Sequence, residues 1–431
     1  MNMKLWQKTI TKLDPKVEKY TVGTDYIFDK ELMVFDIQAS KAHIKGLERI
    51  GILKKTELNK FLNAFIDLEN DLKKGKIEIK IEDEDCHTVI ENYLISKLRD
   101  IGKKVHTGRS RNDQILVALR LYMKDILQKI KSQSLELCEI LLDFAKKHKK
   151  VPMPGYTHTQ QAMLSSVSHY FCAYLESLLD DIDFLDSVYK HIDKNPLGSA
   201  ASFGVALPLD RKFTTSELGF EALQINSLYC QNSRGKFESL FLEVLAQIMM
   251  TLGKMASDFI LFTSREFDFF QIPDGFVTGS SIMPQKRNLD VMEILRSYVN
   301  VVVANQFMVK DISKNLISGF HRDLQLIKKP LIESSRIVLD SLEIMQIFIA
   351  GIKPKGKNMK DKIKKDIFMV DFANDLVIEK NIPFRDAYKI AYENIDDYKV
   401  DLQKNLSSKI SLGAPGNLFL QYYEKKIQEF S

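Results

Sequence analysis

Residues able to bind an anion and to transfer protons are concentrated in three short segments of the sequence. The first, residues 106–113, reads His-Thr-Gly-Arg-Ser-Arg-Asn-Asp and precedes a predicted long helix. Free backbone N–H groups and the helix dipole favour an anion there, and Arg109 and Arg111 could each bind a carboxylate through two parallel hydrogen bonds. A helix start capped by Ser110 or Asn112 explains the same residues equally well.

The second segment, residues 155–160, reads Gly-Tyr-Thr-His-Thr-Gln and is also predicted to lie at a helix start. Its His158 could give or take a proton near neutral pH. A single histidine in a loop is, however, more often an ordinary polar residue whose hydrogen bonds are satisfied. Both interpretations stay open for this segment taken alone.

The third segment, residues 278–288, reads Thr-Gly-Ser-Ser-Ile-Met-Pro-Gln-Lys-Arg-Asn. Gly279 would allow this loop to close, and its hydroxyls could surround a carboxylate together with Lys286 and Asn288. The alternative is a surface loop in which Asn288 caps the next helix. The Gly-x-Ser-x-Gly elbow of hydrolases and a phosphate-binding Gly-Lys-Ser/Thr pattern are absent from the sequence, which disfavours acyl transfer and nucleotide hydrolysis.

The composition is that of an ordinary globular protein. Of the 431 residues, 45% are hydrophobic and 28% are charged, and 62 basic against 57 acidic residues leave a net charge of +5. This balance disfavours nucleic-acid binding, and Lys-rich runs such as residues 353–357 are expected to be solvated surface. The length predicts two or three domains.

The sequence also bears on localisation and metal binding. The N-terminus has no secretion-signal stretch, and no uncharged apolar run approaches the roughly 18 residues that span a bilayer. Four scattered cysteines without a Cys-x-x-Cys pair are typical of free thiols in a reducing compartment. We therefore expect a cytoplasmic protein without membrane contact. Asp83, Asp85 and His87 could be metal ligands, but without a second cluster of ligands we predict no metal site.

Long helical periodicity dominates the rest of the sequence. Between residues 236 and 267, apolar residues recur every three or four positions, which predicts one amphipathic helix about 45 Å long. A helix of that length needs several neighbours to cover it and therefore belongs in a bundle. Similar patterns predict helices at residues 112–148, 161–192, 289–312 and 331–352.

Segments rich in proline and glycine separate these helices and indicate how the chain is organised. We predict an N-terminal helical domain at residues 1–110, a central long-helix bundle at residues 111–352 and a smaller C-terminal helical domain at residues 353–431. The only clear alternation of apolar and polar residues, at residues 77–81, predicts a short hairpin arm or an extended segment.

Taken together, the three polar segments resemble the signature regions of the aspartase/fumarase superfamily, in the same order and with long helices between them. Two of them are similar to the argininosuccinate lyase branch: Thr-Gly-Arg-Ser-Arg-Asn-Asp at 107–113 and Gly-Ser-Ser-Ile-Met-Pro-Gln-Lys at 279–286. After the proline of the second motif, fumarases carry Gly-Lys-Val-Asn and adenylosuccinate lyases carry Tyr-Lys-Arg-Asn. The resemblance covers essentially the whole chain.

The resemblance implies a mainly α, three-domain fold with a central long-helix bundle, and a homotetramer with sites shared between subunits. It implies an elimination that cleaves argininosuccinate to L-arginine and fumarate, without a cofactor or a metal. Ser280 and His158 would transfer the protons, and Lys286, Glu293 and Thr157 would be the other catalytic residues. By the same resemblance, the substrate-binding residues are Asp29, His87, Arg111, Asn112, Asn288, Phe320, Gln325 and Lys328.

Among the departures from the family pattern, two lie at or near the residues just named. Phe320 stands where the family usually has a substrate-binding tyrosine, and Leu289 replaces a proline after the third segment. The rival interpretations are another lyase of the superfamily, such as adenylosuccinate lyase or an aspartase-like enzyme, and a non-catalytic structural protein like the lens crystallins that derive from this family. The arginines of the first segment disfavour the former, and retention of His158 and Ser280 disfavours the latter.

Overall fold

The computed structural model describes residues 14–431, and these are mainly helical. Residues 1–13, on which the expectation about a secretion signal rests, lie outside the described residues. The α-helices of the described part are α1 Pro15–Val22, α2 Asp25–Arg49, α3 Lys55–Lys73, α4 Cys86–Leu98, α5 Arg111–Lys147, α6 Val167–Ile192, α7 Arg211–Glu217, α8 Ser227–Asn232, α9 Lys236–Phe262, α10 Asp290–Ser313, α11 Lys328–Gly351, α12 Gly356–Asp361, α13 Met369–Lys380, α14 Phe384–Glu393, α15 Leu402–Ser408 and α16 Leu420–Phe430.

The strands of the described residues are short and pair two by two. The first two form an antiparallel hairpin, the next two a parallel pair and the last two an antiparallel pair. The strands are β1 Pro152–Thr157, β2 Gln160–Ser166, β3 Lys194–Asn195, β4 Ala222–Leu223, β5 Phe270–Gln271 and β6 Lys353–Pro354.

Three of the five predicted long helices, α5, α10 and α11, begin and end within a few residues of the predicted positions. The helix predicted at residues 236–267 ends earlier, at Phe262. Beyond it the chain folds back: Asp268 has a φ of 48°, its N–H donates to Ser264 O, and Phe269 N–H donates to Phe262 O. Phe269 is thereby buried in the core rather than carried onward along the helix.

The predicted helix start at Gln161 is wrong, because residues 152–166 form the β1–β2 hairpin and α6 begins only at Val167. Thr157 pairs with Gln160, and the two turn residues both have positive φ, as in a type I′ turn. Tertiary contacts overrode the local helix propensity. Leu164 is buried in an apolar cluster of the second unit defined below, and Lys409 Nζ donates to its carbonyl at 2.7 Å.

The alternating segment at residues 77–81 pairs with no strand among the described residues. Lys80 is extended, Ile79 packs in the core beside α3 and α4, and a 3₁₀ turn begins at Ile81. The expectation of an extended segment is therefore correct, and that of a hairpin arm is not.

The chain folds into two compact units. The first contains residues 14–129, 185–245 and 302–336, and the second contains residues 130–184, 246–301 and 337–431. Each of the five long helices contributes one part to each unit. The division into three domains at residues 110 and 352 stays a prediction.

The first unit is built on α2, α3 and α4, whose apolar faces bury Ile37, Phe61 and Leu94 in one core. Its parts of the long helices are joined by polar contacts. The guanidinium carbon of Arg120 in α5 lies 4.0 Å from the ring centroid of Phe237 in α9, and the same guanidinium donates to Ile192 O at the end of α6. A fully buried arginine needs such partners, because an unsatisfied buried cation is costly.

In the second unit, four of the long helices meet through aromatic rings. Phe144 of α5 stacks on Phe171 of α6 with 4.3 Å between ring centroids. Phe259 of α9 lies 6.2 Å from Phe171 and 4.9 Å from Phe348 of α11, edge to face in the second case. Large rings in these arrangements contribute packing beyond the apolar area they bury, so this cluster holds the helices together.

One stretch of the described residues, Ser227–Phe262, is long and apolar enough to cross a membrane by length and composition. In this fold, 61% of its most apolar window is buried. The core helix of a soluble protein has the same properties, so the stretch is weak support for a membrane span.

Candidate active site

The first unit contains an open cavity of about 170 Å³ lined largely by charged and polar side chains. Five separate parts of the chain meet there: the start of α2, the start of α4 with the turn before it, the start of α5, the turn before α9 and the stretch that leads into α11. The lining residues are Asp25, Glu84, Asp85, His87, Arg111, Asn112, Ile115, Arg234, Phe320, Arg322, Gln325 and Lys328.

Lys328 is a deeply buried cation of this cavity. Its Nζ lies 2.5 Å from Asp25 Oδ2 and 2.5 Å from Asp29 Oδ1. The other oxygen of Asp29 accepts the Cys86 N–H at 2.9 Å, and Asp29 is fully buried beneath the cavity wall, whereas Asp25 lines the cavity itself. Of the two carboxylates that flank Lys328, only Asp25 is therefore placed to meet a ligand.

Burial and neighbouring charges shift the pKa values of Asp25 and Lys328. Burial raises the pKa of Asp25 to about 6, although the Lys328 charge opposes that rise. Burial disfavours the charged form of Lys328, but Asp29 and Asp25 outweigh it and raise the pKa of the ammonium above its usual value. Lys328 is accordingly a permanent cation in the cavity wall.

Of the two arginines in the first signature segment, only Arg111 lines the cavity. Its Nη1 lies 3.0 Å from Glu84 Oε2 and 3.2 Å from Asp85 Oδ2. The Ser110 hydroxyl accepts the Asn112 N–H at 3.2 Å, so this serine caps α5 while its neighbours face the cavity. The capping interpretation is confirmed for Ser110, and anion binding by the segment stays a prediction.

The stretch that leads into α11 is fastened to the end of α1. Gln325 Nε2 donates to Thr21 O at 3.0 Å and to Val22 O at 3.2 Å, and Arg322 Nη2 donates to Thr21 O at 3.1 Å. These backbone contacts fix the direction in which Phe320, also on the cavity wall, presents its ring.

His87 lies in the first turn of α4 and is 5% exposed. Its Nδ1 lies 2.8 Å from Asp36 Oδ2. Burial lowers the pKa of the imidazole, but the Asp36 charge and hydrogen bond outweigh burial and raise it above its usual value. His87, which the sequence analysis assigned to substrate binding, is thus held by the fully buried carboxylate of Asp36.

Asp36, Cys86 and His87 are the described residues that come closest to forming a metal site, with one potential ligand atom each within 4.8 Å of the others. The geometry favours hydrogen bonding instead. The imidazole Nδ1 is occupied by the carboxylate, and burial raises the pKa of the Cys86 thiol well above its usual value, so no thiolate is offered. The predicted absence of a metal site stays a prediction.

In the second unit, His158 lies at the tip of the β1–β2 hairpin, where its φ is 52°. Thr157, just before the turn, and His158 are both exposed. A two-residue turn holds the backbone rigidly while the imidazole projects outward. The fold thus presents this histidine at a loop tip and not at a helix start.

The third segment forms an exposed loop of the second unit before α10. Its ends are tied by paired backbone hydrogen bonds between Thr278 and Asn288. Ser280 Oγ accepts the N–H groups of Ile282 and Met283 at 3.4 and 3.2 Å. Two donors therefore point at the oxygen of Ser280, a feature that could stabilise negative charge there.

Lys286 and Glu293 belong to the same part of the second unit. Lys286 is exposed near the end of the loop, and Glu293 is exposed in the first turn of α10. Asn288 Nδ2 donates to Gly279 O at 3.4 Å across the base of the loop. The loop thus displays its side chains to solvent, apart from the contacts that close its base.

The structure separates the predicted residues into two sets. The first unit brings together His87, Arg111, Asn112, Phe320, Gln325 and Lys328 around the cavity, with Asp29 beneath it. The second unit carries Thr157, His158, Ser280, Lys286, Asn288 and Glu293 on the hairpin and the loop.

Sequence reasoning missed Asp25 and Asp36. A signal was present: on α2 the acidic residues Asp25, Asp29 and Asp36 recur at spacings of four and seven, which places them on one helix face. That face of α2 is the buried one. Several acidic residues on a buried face require cationic partners, which is the signal that the sequence offered.

Comparisons with known proteins show what this chain is similar to. A family model described as lyase matches residues 10–304. The argininosuccinate lyase of Thermotoga neapolitana is 46% identical over 393 residues, which cover 91% of this chain and 98% of that protein. The argininosuccinate lyase of Xanthomonas campestris pv. campestris is 40% identical over 418 residues, 96% of each protein. Among solved structures, EDDS lyase in complex with formate superposes with a TM-score of 0.79 at 20% identity, covering 97% of this chain and 90% of that one, which supports the fold.

Replacing Lys328 by Met should destabilise the protein strongly, because it leaves Asp25 and Asp29 buried without their cation. Breaking a buried ion pair from one side typically costs about 3–5 kcal/mol. The penalty should be larger at pH 8 than at pH 5, since Asp25, whose pKa is raised to about 6, can be neutral at the lower pH. Urea unfolding at a fixed protein concentration measures both effects.

The neighbouring exposed Lys329 supplies the matched control, because Lys329→Met removes the same charge but leaves Asp25 and Asp29 with their buried cation. Equal stability losses in the two variants would show that the buried cluster has no special role.

Proposed function

Because the chain belongs to the argininosuccinate lyases of the aspartase/fumarase superfamily, we propose that it cleaves argininosuccinate to L-arginine and fumarate, the last step of arginine biosynthesis. The reaction is an elimination and uses no cofactor. The cavity of the first unit carries this proposal: it offers fixed cations for carboxylates and fixed carboxylates for the cationic groups of the same small molecule.

The difficult step of this elimination is removal of a proton from the carbon beside a carboxylate, because negative charge accumulates on a group that is already anionic. The electron pair of the C–H bond becomes the new C=C bond of fumarate. The electron pair of the C–N bond stays with the guanidino nitrogen, which takes a proton as arginine leaves. Preorganised cations and N–H donors around the carboxylate are therefore the main catalytic contribution expected.

Ser280 is the base in this proposal. A serine hydroxyl is a weak base unless its alkoxide is stabilised. The two backbone N–H groups that point at Ser280 Oγ, from Ile282 and Met283, support the assignment because they already stabilise charge at that atom. The Lys286 ammonium, six residues along the same loop, would face the developing charge on the substrate.

His158 is the acid that protonates the leaving nitrogen. Its position at the tip of a tight hairpin supports this role, since a rigid turn presents an imidazole without burying it. Glu293 would orient the imidazole, and Thr157, beside it on the hairpin, would hold the substrate.

Substrate binding is assigned to the cavity of the first unit. We propose that Arg111, His87 and Lys328 bind its charged groups and that Asn112 and Gln325 donate or accept further hydrogen bonds. Phe320 supplies packing at the wall. Asn288 would reach the substrate from the loop of the second unit. Asp29 acts beneath the wall by holding Lys328 in place.

We further propose that the protein is a cytoplasmic homotetramer in which the cavity of one copy is completed by hairpin and loop segments of other copies. Large apolar side chains left exposed on three of the long helices support association. Met250 of α9 is 53% exposed, Phe307 of α10 is 64% exposed and Ile347 of α11 is 50% exposed. Exposed apolar residues of this size on long helices are typical of surfaces that are covered by a partner.

Purified protein added to argininosuccinate should release fumarate, followed by its ultraviolet absorbance, and should keep full activity after exhaustive chelation. Adenylosuccinate and aspartate serve as the control substrates. Activity on one of these instead of argininosuccinate would overturn the substrate assignment, and loss of activity on chelation with recovery on adding a divalent ion would overturn the cofactor-free mechanism.

Ser280→Ala should lower kcat by at least the roughly 10²–10⁴-fold typical of losing a general acid or base, with a much smaller change in KM. Lys286→Met should be similarly severe. The adjacent, exposed Ser281 is the matched control, and Ser281→Ala should be mild. Steady-state fumarate release is measured after circular dichroism confirms folding. A severe Ser281→Ala and a mild Ser280→Ala would place the base one residue later.

Inactive His158→Asn and Ser280→Ala proteins should regain partial activity when denatured and refolded together. Mixed tetramers would contain some sites that receive both wild-type residues from different copies. Light scattering and the activity of the refolded mixture are the measurements, and each variant refolded alone is the control. A monomer in solution, or mixed tetramers without activity, would exclude shared sites.

A further inference from the structure

Three histidines on or near α2 and α4, His43, His87 and His106, differ in their surroundings. Burial and the Arg109 charge lower the pKa of His43 well below its usual value, and those two causes lower the pKa of His106 to about 4. The pKa of His87 is instead raised. Among the described residues, only His87 of these three lines the cavity.

The difference comes from the position of Asp36. Its Oδ2 lies 2.8 Å from His87 Nδ1, and its Oδ1 lies 3.3 Å from Nη2 of Arg109. The carboxylate thus stands between the two cations and uses a different oxygen for each. Ser40 accepts a hydrogen bond from the other guanidinium nitrogen at 2.9 Å, which fixes Arg109 at the far end of the row.

Asp36 does not line the cavity, and it is fully buried on α2. Because its carboxylate occupies Nδ1 of His87, the nitrogen left to meet a ligand is Nε2. That atom makes no hydrogen bond with the described residues. A histidine held at Nδ1 by a carboxylate has its ring orientation fixed and presents an N–H at Nε2.

The charges around the cavity favour the His87 Nε2–H as a donor to a ligand carboxylate. Lys328 is flanked by Asp25 and Asp29, and Arg111 by Glu84 and Asp85, so each of these cations already has two carboxylate partners. The row of Arg109, Asp36 and a protonated His87 has two cations and one carboxylate, and so carries a net positive charge. His87 is therefore a favourable place for a carboxylate of the ligand.

We propose that Asp36 is a positioning residue that keeps His87 protonated and directs its Nε2–H toward a carboxylate of the succinyl group. This inference rests on the proposed function. Asp36 itself touches no substrate and acts through the imidazole. It also separates His87 from the Arg109 charge, which would otherwise favour the neutral ring.

The other charged and titratable groups that face His87 do not alter this assignment. Asp29 and Asp85 favour the cation, as Asp36 does. The Cys86 thiol is neutral, and His106 is neutral near physiological pH. The groups on the elements packed around His87 are Asp29 and Asp36 of α2, Asp85 and Cys86 beside it, His106, Arg109 and Arg111 before α5, and Lys328 of α11.

Asp36→Asn keeps the shape and removes the charge. At about pH 8, KM for argininosuccinate should rise about tenfold, because a charge-assisted hydrogen bond becomes a weaker neutral one, whereas kcat should stay within about threefold. The sign of the pH dependence is fixed: a cation is present below its pKa and is lost as pH rises through it. The variant should therefore bind nearly normally at about pH 6 and lose affinity as pH rises, whereas wild-type KM stays constant to a higher pH.

A double-mutant cycle separates this role from a structural one. In a His87→Gln background, which cannot become charged, Asp36→Asn should cause no further change in KM. The matched control is Asp193→Asn, which removes a buried carboxylate 2.5 Å from Lys124 in the same unit but outside the cavity. It should lower stability and leave KM and its pH dependence as in the wild type.

The outcomes distinguish this inference from the proposed function. Wild-type protein that releases no fumarate from argininosuccinate would overturn the proposed function. Active wild-type protein with an unchanged KM in Asp36→Asn, or with the Asp36→Asn effect retained in the His87→Gln background, would overturn only the role of Asp36.

If Asp36→Asn does not fold, the pH dependence of KM in the wild type and in His87→Gln tests the inference. Wild-type KM should rise with pH through a pKa above the usual value of about 6.5, and His87→Gln should lack that rise. A rise that persists in His87→Gln, or that is absent from the wild type, would contradict the inference.

Discussion

The ion cluster of Lys328 with Asp25 and Asp29 is the interaction on which the cavity depends. It joins the first turn of α2 to the first turn of α11, two elements about 300 residues apart in sequence, through a pair of 2.5 Å contacts. Neither sign of charge could be buried alone, because removing an isolated ion from water costs several kcal/mol. The cluster therefore fixes where the two helices begin relative to each other within the first unit, and the cavity forms at that junction.

The same rule, that a buried charge needs a partner, organises the rest of the cavity wall. Arg111 is held by Glu84 and Asp85, and Asp36 is held between Arg109 and His87. Arg111 and His87 line the cavity and are already oriented by these carboxylates. A ligand carboxylate entering such a site meets donors that need little reorganisation, which is the condition under which electrostatic stabilisation contributes most to catalysis.

The two segments of the second unit follow a different rule. The hairpin tip and the loop are exposed, and their backbone rather than buried charge sets their geometry. A two-residue turn projects His158, and two N–H groups of its own loop surround Ser280 Oγ. Under the proposed function, the proton-transfer groups lie on these exposed segments, and the substrate-binding groups lie on a wall fixed by buried ion pairs. The proposed chemistry thus divides between a fixed wall and exposed segments.

The sequence by itself determined the mainly helical fold, the positions of α5, α10 and α11, and the superfamily, because long apolar periodicity and three linear motifs are local properties of the chain. It also assigned His87, Arg111 and Lys328 to substrate binding, though only through resemblance, and all three line the cavity. Tertiary structure alone decided the β1–β2 hairpin, since Leu164 is held in a strand by contacts with residues some 200 positions away. It alone showed that Asp25 faces the cavity while Asp29 lies beneath it, and that Asp36 separates His87 from Arg109. The surroundings of these three aspartates depend on which distant segments of the chain pack against α2, and no local sequence pattern encodes that.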